Sequence, residues 1–160
     1  MTVESDLFRQ TMRFWATGVT VVTAAHAGVQ HGMTVSAFTS LTLTPPQVLI
    51  SLAQNSRTHG LITRAQAFGV TILAADQQEI SERFAGRVAD DLDRLAGLET
   101  FTLVSGTPML AGGLSHLDCR VITTLDCGTS TLFIGEVVAA QSAQGGAPLL
   151  YFNRDYRELK

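Results

Sequence analysis

From Phe14 to Ser56 the chain carries no Asp, Glu, Lys or Arg, and this charge-free stretch constrains the fold more than any other feature. Thr, Ser, His, Gln and Gly interrupt it throughout, and its apolar runs, such as Gln47 to Leu52, are strand-length and bounded by prolines or polar residues. A membrane-spanning helix needs about 20 predominantly apolar residues, so the stretch predicts a set of neutral strands and not a membrane span. Overall composition points the same way. The 160 residues are 46% hydrophobic and 16% charged, against roughly 25% charged in an average globular chain, which excludes disorder and implies extensive burial. This length makes about one domain. With no repeat, low-complexity tract or linker, a single domain over 1–160 is expected.

Charge and motifs exclude several functions. Net charge is −3 with no Lys/Arg cluster, so nucleic acid is not an expected partner. The only lysine is Lys160, which removes a phosphate-loop lysine or a Schiff-base lysine. Met1 to Arg13 carries both charge signs before any apolar run, unlike a secretion signal, and a cytoplasmic location is the expectation. Cys119 and Cys127 lack Cys-x-x-Cys spacing, and His26, His31, His59 and His116 include no pair at helical ligand spacing. No metal site is expected, and both cysteines are read as buried thiols. Asp90, Asp91 and Asp93 miss a calcium-loop spacing and read as a solvated acidic turn within the charged block Asp76 to Arg94. Gly-x-Ser-x-Gly and Gly-x-Gly-x-x-Gly are absent, and no histidine has a Ser or Asp partner in a nucleophile motif.

Periodicity predicts the elements. Leu7, Phe8, Thr11, Met12 and Trp15 share one helical face, giving an opening helix that ends near Gly18. Val19 to Ala25 reads as a strand, linked through the Gly-containing stretch His26 to Gly32 to a second one. From Thr34 to Thr44 hydroxyls recur at Thr34, Ser36, Ser40, Thr42 and Thr44, the period of a single strand with one hydroxylated face. Pro45-Pro46 ends it. Gln47 to Leu52 follows as a buried strand, Ser56 caps a short helix to about Ala65, Phe68 to Leu73 is a strand, and Gln77 to Ala85 is an exposed helix. Leu98 to Val104, Leu117 to Leu125, Thr131 to Ala140 and Leu149 to Phe152 supply further strands. The expected class is mainly β (α+β): a closed or nearly closed antiparallel barrel with peripheral helices.

Two places carry chemistry. Gly32 to Ser40 offers small side chains, hydroxyls and main-chain edges that suit a flat heteroaromatic ring, and equally suits an ordinary barrel strand. Asn55-Ser56-Arg57-Thr58 opens a helix with two hydroxyls and the first charge after the neutral stretch. It fits either a phosphate grip or a plain N-cap with a solvated arginine. Tyr151, Phe152 and Tyr156 fit core, dimer contact or stacking on a second ring.

With these segments assembled, the sequence resembles the flavin reductase-like family, the small reductase components of two-component flavin monooxygenases. The likeness runs from Phe8 to Tyr156. It rests on Phe8 to Thr23 with its Thr17-Gly18-Val19-Thr20-Val21, on Gly32-Met33-Thr34-Val35-Ser36-Ala37-Phe38-Thr39-Ser40 through Pro45-Pro46, and on Ser56-Arg57-Thr58. Phe84-Ala85-Gly86, Leu117-Asp118-Cys119, Phe133-Ile134-Gly135-Glu136-Val137 and Pro148-Leu149-Leu150-Tyr151 follow in the family's order. The resemblance implies a split β-barrel FMN-binding fold, a homodimer, and reduction of FMN or FAD by NADH or NADPH for a flavin-dependent monooxygenase. It implies that Met33, Thr34, Val35, Ser36 and Ala37 line the isoalloxazine, with Ser51 and Leu52 beside it. Ser56, Arg57 and Thr58 would hold the phosphate, and Phe152, Asn153, Arg154 and Tyr156 would lie by the nicotinamide. The family commonly has Gly-Asp-His where this chain reads Gly128-Thr129-Ser130, so Ser130 replaces a histidine of the active site. An FMN carrier or sensor with little turnover is the competing expectation.

Overall fold

The computed structural model describes residues 2–159; Lys160, the only lysine, lies outside the described residues. Seven antiparallel strands form the main sheet, in the order β3-β2-β6-β9-β10-β5-β4. They are β2 (Thr20–His26), β3 (Val29–Val35), β4 (Phe38–Leu43), β5 (Pro46–Ala53), β6 (Ala67–Ile72), β9 (Ser115–Cys127) and β10 (Ser130–Ser142). Short β1 (Thr17–Gly18), β11 (Leu150–Phe152) and β12 (Asp155–Arg157) make a second sheet, and β7 (Thr100–Thr102) pairs with β8 (Pro108–Leu110). The helices are α1 (Ser5–Met12), α2 (Arg57–Ala65) and α3 (Gln78–Glu82). The protein is mainly β with few helices. None of its helices, among the described residues, is long and apolar enough to cross a membrane.

The first and last strands of the main sheet, β3 and β4, are neighbours in the chain, separated only by Ser36-Ala37. The sheet must therefore curl until its two edges meet at that corner. Between the edges there is no ladder among the described residues, so the barrel, expected to be closed or nearly closed, is open along this seam. The corner also breaks the single hydroxylated strand expected from Thr34 to Thr44. Phe38 N–H turns back to Ser36 O at 2.9 Å, and Ser51 N–H donates to Ala37 O at 3.1 Å, which transfers the chain from the β2 ladder to β5. Strict alternation continues through a corner as readily as along a strand, so period two could not mark the break.

Other departures have equally local causes. The β2–β3 hairpin turns on Ala27 and Gly28, with φ of 50° and 78°, and His26 faces Val29, so the loop expected up to Gly32 is a two-residue turn. Helix α1 stops at Met12 because Thr17–Gly18 is drawn into pairing with Tyr151 and Leu150, and no residue of α1 is buried. The helix expected from Gln77 to Ala85 is α3 followed by a wide turn, Arg83–Arg87, closed at Gly86 with φ 116°. It is not wholly exposed, since Ser81 and Phe84 are buried.

Strand β2 has cores on both faces. Val22 and Ala24 join Ile50, Leu52, Leu61, Ile62, Phe68 and Phe133 inside the curled sheet, while Val21, with Val19 just before the strand, joins Leu73, Phe84, Leu95 and Leu149 outside it. Cys119 lies in the inner core, where burial and neighbouring Asp118 push its thiol up to about 12. Cys127 is exposed at the end of β9, contrary to expectation, because that long hairpin runs beyond the core.

Candidate functional site

Two cavities meet at the β3–β4 corner. The first, about 410 Å³, is walled by Met33, Thr34 and Ser36 on one side, Ser81, Phe84 and Ala85 on another, Asp90 and Arg94 on a third, and Val19, Tyr151 and Tyr156. The second, about 510 Å³, is lined by Ser36 and Ala37, by Arg9, Met12, Arg13, Trp15 and Thr17, and by Tyr151, Phe152, Asn153 and Arg154. Ser36 and Tyr151 belong to both.

Hydrogen bonds hold these walls. Thr34 Oγ1 donates to Ser81 O at 2.6 Å, Ser81 Oγ and Tyr156 OH are 2.8 Å apart, and Tyr156 packs edge-on against Tyr151 at 5.3 Å. Ser36 and Ala37 are exposed, so the corner offers main-chain groups and almost no side-chain bulk. Because β3 is an edge strand, half of its main-chain donors and acceptors have no strand partner. Val35 and Leu52 point into the inner core, at 4% and 1% exposure, and line neither cavity. Ser51 is half-buried beside Ala37.

Ser56, Arg57 and Thr58 line neither cavity. Ser56 caps α2 as the sequence predicts, its Oγ accepting from His59 N–H at 3.2 Å. Thr58 is fully buried with Oγ1 2.8 Å from His31 Nδ1, and Arg57 Nη1 donates to Asp90 O at 2.8 Å. Asp90 thus joins the helix start to the first cavity, which it lines.

The far wall of that cavity was hidden in the sequence. Arg94 sits in a block that reads as solvated, yet it is 6% exposed and acts as a main-chain clamp. Its Nε donates to Val88 O at 3.0 Å, its Nη1 to Phe84 O and Gly32 O at 3.1 and 3.3 Å, and its Nη2 lies 3.3 Å from Asp90 Oδ1. The acidic turn is correspondingly not just solvated. Asp93 accepts from Gln30 Nε2 at 2.8 Å and from Leu95 N–H at 2.9 Å.

His31 completes this cluster. It is buried, with Nε2 3.4 Å from Asp90 Oδ1, and its pKa is lowered first by burial and then by the Arg94 charge. A histidine lowered in the folded state binds fewer protons there than when unfolded, so stability falls as pH drops below the unfolded value near 6.5. Replacing His31 with Asn should flatten that acid limb, which approaches about 1.4 kcal/mol per pH unit per proton. Urea unfolding at a series of pH values would read it, and an unchanged slope would reject the assignment.

His59 does have polar partners, though in no catalytic order. Its Nε2 is 3.0 Å from Thr131 Oγ1, which itself donates to Asp126 Oδ1 at 2.7 Å. The hydroxyl lies between histidine and carboxylate, hydrogen-bonded to both, so it is no activated nucleophile. Ser130 faces Ala53 across the β10–β5 ladder and lines neither cavity.

A neutral corner, two cavities sharing it, and an open strand edge suit two stacked rings better than acid–base hydrolysis. Residues 12–160 match the model of the flavin reductase like domain. The chain belongs to the flavin reductase-like family. Among curated relatives, the reductase component of 4-nitrophenol 4-monooxygenase/4-nitrocatechol 2-monooxygenase from Rhodococcus opacus is 43% identical over 91% of this chain and 76% of its own length. The NADH-dependent flavin reductase StyB of Pseudomonas fluorescens is 39% identical over 96% of this chain and 89% of its own. Among solved structures, the NADH:FAD oxidoreductase SgcE6 of Streptomyces globisporus, in complex with NAD and FAD fragments, superposes with a TM-score of 0.90 at 29% identity, covering 100% and 97% of the two chains. The flavin reductase-like residues fit a flavin on their own terms. Ser36 and Ala37 leave room for a ring, the β3 edge has main-chain donors and acceptors without a strand partner, and Arg57 stands at a helix start beside the cavity wall.

Proposed function

We propose that this chain is an NADH-dependent flavin reductase that reduces exchangeable FMN or FAD and releases it to a flavin-dependent monooxygenase. The observation that carries the reading is the shared wall of the two cavities at Ser36 and Tyr151, where two planar rings can meet, in a chain of this family.

The reduced nicotinamide and the flavin supply the hydride and its acceptor, so no side-chain nucleophile is required. The chain's residues bind, orient and exclude water. Met33, Thr34, Val35, Ser36 and Ala37, with Ser51 and Leu52 behind them, present main-chain groups to the flavin ring; fixed donors there stabilise negative charge on the reduced form. Ser56 and Arg57 hold the phosphate at the positive end of α2, and Thr58 adds its N–H because its hydroxyl is committed to His31. Phe152, Asn153, Arg154 and Tyr156 border the nicotinamide, with Tyr151 between the two cavities to hold it at stacking distance.

The same reading takes residues 1–160 as one domain of split-barrel type that works as a homodimer in the cytoplasm. Exposed Leu43, Leu125, Phe14 and Trp15, at 86%, 60%, 72% and 70%, support a subunit contact. The free thiols of Cys119 and Cys127 agree with a reducing compartment. The carrier alternative rests on Ser130, and a serine outside both cavities gives it little support.

Stopped-flow mixing of the protein with FMN or FAD and NADH tests the proposal. Bleaching of the flavin absorbance in a protein-dependent phase is expected. No acceleration with either flavin, using NADH or NADPH, would overturn it.

A further inference from the structure

The second cavity carries more charge than the reductase reading uses, which places only Arg154 beside the nicotinamide. Arg9, Arg13 and Arg154 line it and no acidic residue does. Arg9 is exposed and paired with Asp6 at 3.2 Å, whereas neither Arg13 nor Arg154 is in an ion pair among the described residues. Arg13 is half-buried, and its Nε is buried without a hydrogen-bond partner among the described residues, a position that costs free energy.

Arg154 is held at some cost too. Asn153 and Arg154 form the two-residue β11–β12 turn with φ of 50° and 65°, left-handed positions that glycine would occupy more easily. Asn153 N–H donates to Arg13 O at 2.9 Å, so the turn and the segment after α1 are pinned together with their arginines at one cavity. The left-handed turn that carries exposed Arg154 and the unpartnered Nε of half-buried Arg13 bring two uncommitted guanidinium groups to one cavity that an anion would suit.

The cavity adjoins the ring corner through Ser36 and Tyr151, and Trp15 and Phe152 give it flat apolar walls. A ring seated at the corner on this side would share its cavity with these arginines, which its ribose and phosphate chain could then reach. We propose that Arg13 and Arg154 form a subsite for the diphosphate bridge of a dinucleotide cofactor, which rests on the reductase reading for the ring position. The diphosphate is common to NADH and FAD, and the test separates the two sources.

Trp15 is the only tryptophan and lines this cavity, so its fluorescence reads occupancy without turnover. Four titrations are compared: oxidised NAD against nicotinamide riboside, and FAD against riboflavin. Each is run on the wild type, Arg13→Gln/Arg154→Gly, and Arg13→Lys, the glycine suiting the turn's φ. In the double variant, the diphosphate ligand of one pair should weaken at least about 10-fold, as expected for losing charge-assisted hydrogen bonds. Its phosphate-free partner should be unaffected and Arg13→Lys should keep most of the affinity. Loss for NAD assigns the site to the electron donor, and loss for FAD to the flavin. Unchanged dinucleotide binding, or equal weakening of the phosphate-free ligands, overturns the subsite. Flavin bleaching by wild type with NADH is scored separately, so failure of the subsite and failure of the reductase reading are distinct results.

Discussion

Replacing Ser36 with Trp should lower NADH-dependent flavin reduction by at least about 100-fold, the loss expected when reacting groups are displaced by an ångström or more. Ser36 lines both cavities, and its side chain is exposed at the corner where the two proposed rings meet. An indole there takes the space of one ring and separates the other from it. The fold should be spared, because an exposed position away from caps and buried networks shifts stability by about 0.5 kcal/mol or less. Ser40→Trp is the control: Ser40 is exposed on β4 and lines neither cavity. Stopped-flow rates and thermal melting of both variants decide the matter. Full activity in Ser36→Trp would remove the corner from the mechanism, and equal loss in both variants would point to a general effect on the sheet.

That corner also marks how far the sequence could be read. Strand β2 was legible because its Val and Thr run is buried on both faces, and α2 because Ser56 supplies a cap whose geometry is local. The corner itself was not, since hydroxyls recur at Thr34, Ser36 and Ser40 whether or not the backbone bends between them. Strand β12 was missed because its turn uses Asn153 and Arg154 where glycine is the usual signal. The cavity's far wall was missed for another reason. Arg94, Asp90 and Ser81 lie in the most charged part of the chain, which by composition belongs in water. Yet Arg94 is buried by giving its guanidinium protons to the carbonyls of Gly32, Phe84 and Val88. Such satisfaction depends on which distant segments converge, and pattern along the chain does not carry it. The family motifs point to a ring platform through residue types; the arginines of the second cavity meet only because the fold sets the segment after α1 beside the β11–β12 turn.

The largest effect on stability is expected at Phe68. Its ring is fully buried in the inner core. Phe68 faces Cys119 across the β6–β9 ladder, and its ring reaches past β9 to Gly135 on β10, so one side chain spans three strands. Phe68→Ala should cost about 3–5 kcal/mol, the usual range for removing a buried aromatic ring. Gly135 explains why the ring fits: a Cβ there would stand 2.6 Å from Phe68 Cζ and 3.0 Å from Cys119 Cβ. A rigid ring held between strands cannot swing aside, so Gly135→Ala alone should cost about 1–3 kcal/mol through overpacking. In the Phe68→Ala background the added methyl enters vacated space, and most of that cost should disappear. The double variant should therefore be more stable than the sum of the singles predicts, by about 1 kcal/mol or more. Urea unfolding of the four proteins measures the coupling, and additivity within about 0.5 kcal/mol would refute the contact. Val35 and Leu52, which back the proposed flavin platform, belong to the same core as Phe68. Phe68→Ala should accordingly weaken flavin binding as well, although Phe68 itself lines neither cavity.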